Sequence, residues 1–314
     1  MSAVEDLVLG ELAKDAELEA LERGFRGQRG PHETRLWFEA TDRRSDDEPV
    51  ATAFVETLFD GSWPAPDDPD LARVNRRAVF GSFFSENGRF GLRASCCIYE
   101  DEPEWQSVAV LLLRTMDEQA SMGHGIAQCE FAPDALPVQR ADLGYPRTWT
   151  AAQPPDAFER TAARFREHGL LSLPGDDSLI LELPLDDGAP SRTIDPTAET
   201  ALVHVTVGIP HPVAGVGYLA TMVLPFDPPR HAIPGWCRRL NAEEHRMHHF
   251  APRLGAWGMR GPGTELAYSL FWPTAHGIGG FVSGITNWSV RRALWIRERF
   301  WQSGRGLCAE RSDA

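Results

Sequence analysis

The stretch Pro234–Phe300 decides the fold. It reads as a helix at Pro234–His245 (PGWCRRLNAEEH), two strands at Arg253–Arg260 (RLGAWGMR) and Glu265–Trp272 (ELAYSLFW), and a closing helix at Gly279–Phe300 (GGFVSGITNWSVRRALWIRERF). The first half holds the same order in shorter form: Asp70–Ala78 (DLARVNRRA), Val79–Glu86 (VFGSFFSE), Arg89–Glu100 (RFGLRASCCIYE) and Trp105–Gln119 (WQSVAVLLLRTMDEQ). A repeated order of elements is the mark of an internal duplication.

The halves align by eye. Phe54–Phe59 (FVETLF) falls opposite Tyr218–Val223 (YLATMV) at an offset of 164, and Leu71–Asn75 opposite Cys237–Asn241 at 166. Gly81–Phe83 falls opposite Gly255–Trp257, and Val108 opposite Val282, both at 174. The offset changes only in loops or at element ends. One mismatch stands. The second half shows three strands before its middle helix, at Ser178–Leu183, Ala201–Val207 and Gly217–Leu224. The first half shows two, at Arg35–Ala40 and Ala51–Phe59, with a third expected near Arg26–His32.

Local patterns fill in the rest. A capping-box spacing at Ser2 and Glu5, with Leu18, Leu21 and Phe25 continuing an apolar stripe, predicts a helix over residues 2–23. Asp70 is the expected N-cap of the Leu71–Arg77 helix. Asn87-Gly88 between two β-rich runs predicts a hairpin. Trp105, Val108, Ala109, Leu112 and Met116 line one helix face, and Val110, Leu111 and Leu113 widen it toward a helix buried all round. A helix follows Pro154-Pro155, with Phe158, Ala162 and Phe165 on one face and Gly169 ending it. Strands joined by short turns, with helices at fixed points, argue α+β with antiparallel sheets over a doubly wound parallel sheet. The expected division is a first unit at 1–120, a partly packed linker at 121–153, a second unit at 154–303 and a tail at 304–314.

The chain has 314 residues and a net charge of −14 from 31 Lys+Arg against 45 Asp+Glu. That balance, with no Lys/Arg stripe, argues against nucleic acid as a partner. No apolar run of about 18 residues stands out, so no membrane partner is expected, and a cytoplasmic location is. The five cysteines have no metal-ligand spacing and read as small buried apolar residues.

The middle-helix pattern ending in Leu240-Asn241 (Asn75 in the first half), the strand pair GAWGM and ELAYSLFWP, and the closing helix with Trp288 and Arg292 resemble the type III secretion chaperone and YbjN superfamily. The likeness covers Asp156–Phe300 well and Ser2–Gln119 less well. A linked pair is similar to the YbjN-type (TY-Chap) peptide-binding chaperones of bacteria. The resemblance implies two tandem units that pack together within one chain, as dimeric relatives do between chains, so that a monomer suffices. It also implies a protein or peptide client, no cofactor and no reaction.

For the client, the candidates are aromatics that would line an apolar sheet face or edge: Trp257, Phe271, Trp272, Tyr218 and Phe83. Phe271 and Trp272 point to opposite faces of one strand, so either both faces are covered or one offers a groove. Arg292 is expected near the buried face, paired with an acid of the first unit. The richest polar cluster is Glu243-Glu244-His245 with His248 and His249. His245 and His249 are i, i+4 neighbours and could share a metal, although the sequence is not HExxH and a solvated helix end explains the same residues. Three functions compete: a client-binding chaperone or adaptor, an immunity or regulatory protein capping one partner, and a metal-dependent enzyme using His245, His248 and His249. No GxSxG or phosphate loop is present.

Overall fold

A computed structural model describes residues 3–41, 49–59, 65–100, 105–131, 156–185, 200–225, 229–245, 252–261, 265–273 and 281–301. The protein is α+β, built from two similar units, each an antiparallel six-stranded sheet with flanking helices. In the first unit, α1 (Ala3–Leu12) precedes β1 (Leu18–Leu21), β2 (Gly24–Arg29), β3 (His32–Ala40) and β4 (Ala51–Leu58). Then come α2 (Asp68–Asn75), β5 (Ser82–Glu86), β6 (Arg89–Ile98), α3 (Trp105–Glu118) and, after a π-helical turn, α4 (His124–Phe131). The second unit has α5 (Ala157–Glu167), β7 (Leu171–Pro174), β8 (Ser178–Pro184), β9 (Thr200–His211) and β10 (Gly215–Val223). Then come α6 (Ile233–Glu244), β11 (Ala256–Arg260), β12 (Glu265–Pro273) and α7 (Phe281–Ile296). The strand orders are β1-β2-β3-β4-β6-β5 and β7-β8-β9-β10-β12-β11. The duplication is therefore complete, with four strands before the middle helix in each copy.

Several expectations change here. Residues 2–23 are not one helix: α1 stops at Leu12, and the apolar residues beyond it belong to β1 and β2, which meet in a tight hairpin. The second unit also has a strand, β7, that four residues were too few to reveal by periodicity. Within the expected linker, residues 124–131 form α4; residues 132–155 and 302–314 lie outside the described residues. Helix α3 buries one face, not all of them: Ala109, Leu112 and Met116 are inside while Val110 is exposed. The hairpin at Asn87-Gly88 forms as expected, with φ of 53° and 73°. The N-cap of α2 is Asp67, whose carboxylate accepts from the Asp70 amide at 2.9 Å.

Pairing corrects the alignment of the fourth strands. Val55 pairs with Ala94, as Met222 pairs with Tyr268, and Leu36 pairs with Val55, as Val203 pairs with Met222. The offset there is odd, not 164, since Val55 lies under α1 and α3 while Tyr218 lies under α7. An odd error turns every side chain to the other face. It set outward Phe54, stacked on Trp37 at 5.1 Å, against inward Tyr218.

The middle helices carry the clearest repeat. Asn75 donates to the Phe83 carbonyl (3.2 Å) and accepts from its amide (2.7 Å). Asn241 makes the same two bonds to Trp257, at 2.9 and 2.8 Å. Each amide closes the free edge of β5 or β11, groups that would otherwise need another strand. Asn241→Ala leaves a buried amide and carbonyl without these partners and is expected to cost about 2–3 kcal/mol, read as a fall in the urea midpoint.

The units join through these edges. Gly81 donates its amide to Leu254 O and Arg253 donates its amide to Ser95 O, both at 2.8 Å. Val79 bridges to Phe271, and the Phe80 and Trp272 rings stand 4.9 Å apart. Gly258 lets α2 lie directly on the outer face of β11, where a Cβ would meet Arg76 N at 2.6 Å and Ala72 O at 3.0 Å. One apolar core runs through both units, and a second lies under α1 and α3.

Candidate functional site

The five aromatics named from the sequence are core side chains. Trp257, Phe83, Tyr218, Phe271 and Trp272 are all buried. Tyr218 and Trp272 face α7 through Phe281, at 5.1 and 4.9 Å. Phe271 faces the other way, but the first unit covers it through the Val79 bridge, and the His211 ring lies 4.7 Å from it. Both faces of β12 are thus covered, and none of these rings is presented to a client.

His245 ends α6 at the centre of the joint. Its Nε2 lies 3.2 Å from Ser82 Oγ and its Nδ1 2.9 Å from Ser95 Oγ, both on the first unit. Arg253 donates to Ser95 Oγ and to the His245 carbonyl, each at 2.9 Å, and reaches Cys97 Sγ at 3.2 Å. With both ring nitrogens engaged, His245 has no lone pair to offer a metal. His248 and His249 lie outside the described residues. Among the described residues, no three His, Cys, Asp or Glu side chains gather at metal-binding spacing. The serine–histidine–serine chain has the outline of a nucleophile and base, but the group behind it is a guanidinium. Burial first, then the charges of Arg253, Arg93 and Arg292, hold the imidazole well below its ordinary pKa. A triad needs an anion there to stabilise the imidazolium. This centre locks two units together and is poorly suited to general base catalysis.

A pocket of about 60 Å³ opens beside it, lined by Ser82, Phe84, Arg93, Cys237, Asn241 and His245 among others. Phe84, under the Arg93 guanidinium at 4.3 Å, forms part of its wall. The polar groups around it are committed to one another. Arg93 holds Glu56 at 2.9 Å and Glu86 at 3.1 Å.

A second histidine crosses the joint. His211 Nδ1 accepts from the Val213 and Ala214 amides (3.2 and 3.0 Å), so its Nε2–H donates to Arg77 O at 3.0 Å. Burial, opposed in part by that bond, lowers its pKa. Both imidazoles bind a proton less readily folded than unfolded, so the unfolded chain binds more protons below about pH 6.5. Stability is therefore full above that pH and falls as pH drops through it, by up to about 1.4 kcal/mol per pH unit for each group. Urea midpoints between pH 8 and pH 5.5 check this, and His245→Asn is expected to flatten the slope.

Arg292 is buried as expected, but its partner is not in the first unit. It pairs with Glu244 of α6 through Nε at 2.7 Å, and its guanidinium lies 3.7 Å from the Tyr268 ring centroid. Glu244 also accepts from Trp257 Nε1 at 2.8 Å.

The surface that differs most between the units is the outer face of the second sheet. In the first unit the corresponding face is laced with ions: Arg26–Glu19 at 2.8 Å, Arg35–Glu33 at 2.5 Å, and Glu56 with Arg89 and Arg93 at 3.3 and 2.9 Å. In the second unit Leu173, Ile180 and Leu202 stand out at 46, 38 and 44 % exposure. Leu173 pairs directly with Ile180, and Leu202 lies diagonally across from it, opposite Glu182. Half-buried Leu171 closes the row on the other side of Glu182. Of this face, the strand at Ser178–Leu183 was expected from the residues. Which strands flank it depends on β7 and on register, which the sequence did not reveal.

No family model, curated protein or solved structure matches this chain. Among the described residues no helix is long and apolar enough to cross a membrane.

Proposed function

We propose that this protein binds polypeptide clients without acting on them chemically, and that the outer face of β7, β8 and β9 receives the client. The observation that supports this is the contiguous apolar row of Leu173, Ile180 and Leu202, on a face where the first sheet exposes Leu21 but otherwise carries the ion pairs Arg26–Glu19 and Arg35–Glu33. Adjacent exposed aliphatics on an otherwise well-covered protein mark an interaction surface. The contact uses the face more than the edge. Strand β7 is four residues long and ends in Pro174, which has no amide to give, while Asn75 and Asn241 close the edges of β5 and β11.

This agrees with the role implied by the secretion-chaperone and YbjN likeness, and it moves the binding surface from the aromatic strands to the other side of the second sheet. Ile180→Asp with Leu202→Asp is expected to abolish binding of a permanently unfolded reference polypeptide and leave the melting temperature within about 2 °C, since both side chains are solvent-facing. Fluorescence anisotropy of the labelled polypeptide measures it. Undiminished binding by the variant would remove this face from the account.

A further inference from the structure

Glu182 is out of place. It projects from the middle of the apolar row, between Leu171 on β7 and Leu202 on β9, with Ile180 two residues before it and Pro184 two after. It is only 8 % exposed, and among the described residues no cation or donor pairs with its carboxylate. Burial raises its pKa, which measures the cost of keeping the charge there. The first unit shows how such a charge is satisfied elsewhere. There Arg26 projects from β2 on the same outer face, and Glu19, its cross-strand neighbour on β1, holds it at 2.8 Å. In the second unit Leu171 is the cross-strand neighbour of Glu182, so the carboxylate has no counter-ion across the strand.

A carboxylate set between Leu171 and Leu202, with only His204 and Thr200 diagonally across on β9, is unfavourable until a cation reaches it. Uncompensated groups of this kind gather where a partner completes them. We infer that the client segment received on this face presents a lysine or arginine flanked by apolar residues, with Glu182 as its counter-ion. The apolar flanks seat on Leu173, Ile180 and Leu202, and the cation lies against the carboxylate. The net charge of −14 attracts such a segment from a distance. This rests on the client-binding reading above and narrows it to one chemical class.

The test uses three fluorescent peptides that differ at one central position, lysine, glutamate or norleucine, between leucines. Wild type is expected to bind the lysine peptide about tenfold or more tighter than the glutamate twin, the size of one desolvated charge pair. Glu182→Gln, which keeps shape and loses charge, is expected to reduce that preference to about twofold or less. Glu182→Leu is expected to raise the melting temperature of the free protein, because it removes an uncompensated charge. Equal binding of the peptides by wild type, or an unchanged preference in Glu182→Gln, would overturn the counter-ion assignment and leave client binding standing. Failure of wild type to bind these peptides and the unfolded reference polypeptide would overturn both. A dimer in sedimentation that Ile180→Asp dissociates would show that a second copy occupies the face, and would also overturn the assignment.

Discussion

Glu244→Gln is expected to destabilise the protein by about 3–5 kcal/mol, the cost of stranding a buried charge. Arg292 is wholly buried and its guanidinium rests on Tyr268, so it cannot turn to water when its anion goes. The same carboxylate accepts from Trp257 Nε1, so the change also weakens the hold of α6 on β11. Part of the loss is in the missing attraction, but most is the desolvation of an uncompensated cation. Replacing both partners with leucine therefore removes the charge penalty that the single substitutions leave, and keeps only the smaller loss of the Trp257 Nε1 acceptor. Urea unfolding of the two single variants and the double variant measures this. A loss below about 1 kcal/mol for Glu244→Gln would place the pair with weakly coupled surface ions.

Gly258→Ala is expected to loosen the joint between the units. The added Cβ meets three backbone atoms of α2 and its end, Arg76 N at 2.6 Å and Ala72 O and Asn75 C at 3.0 Å. No side chain can swing aside, so the helix must move off the sheet. Asn75 sits at that end of α2 and holds β5, so the shift reaches the first sheet as well. Overpacking at a rigid contact typically costs about 1–3 kcal/mol, and a contact closed by backbone on all sides lies at the upper end. Amide hydrogen exchange localises the effect: protection is expected to fall in α2 and β11 and to persist in β3 and β9. Uniform protection across the chain would show that α2 does not depend on this contact.

Much of the architecture was legible because it was written twice. The matching of Asn75 with Asn241 and of Phe83 with Trp257 came from residue order alone, and the paired amide clamps give it a physical reason. Strong local signals also held, such as Asn87-Gly88 and the stripe on α3. Short strands did not show. Strands β1 and β7 have four residues each, too few for a period, and the leucines of β1 passed for the end of a helix. The site was harder to read. Trp, Tyr and Phe mark cores and interfaces alike, and here the conspicuous aromatics went to the core and to the joint. His245 belonged to a cluster read either as candidate metal ligands or as a solvated helix end. Its role depends on Ser82, Ser95 and Arg253, far away in sequence. Glu182 looked like any strand glutamate until register placed Leu171 and Leu202 on either side of it.

The central claim is that a client lies on the outer face of the second sheet, and photo-crosslinking from that face tests it most directly. A photoreactive amino acid placed at Ile180 is expected to capture the lysine-centred peptide, and the same group at Trp37, on the corresponding face of the first sheet, is not. Capture at Trp37 with none at Ile180, or capture at neither position while the peptide still binds, would contradict the account.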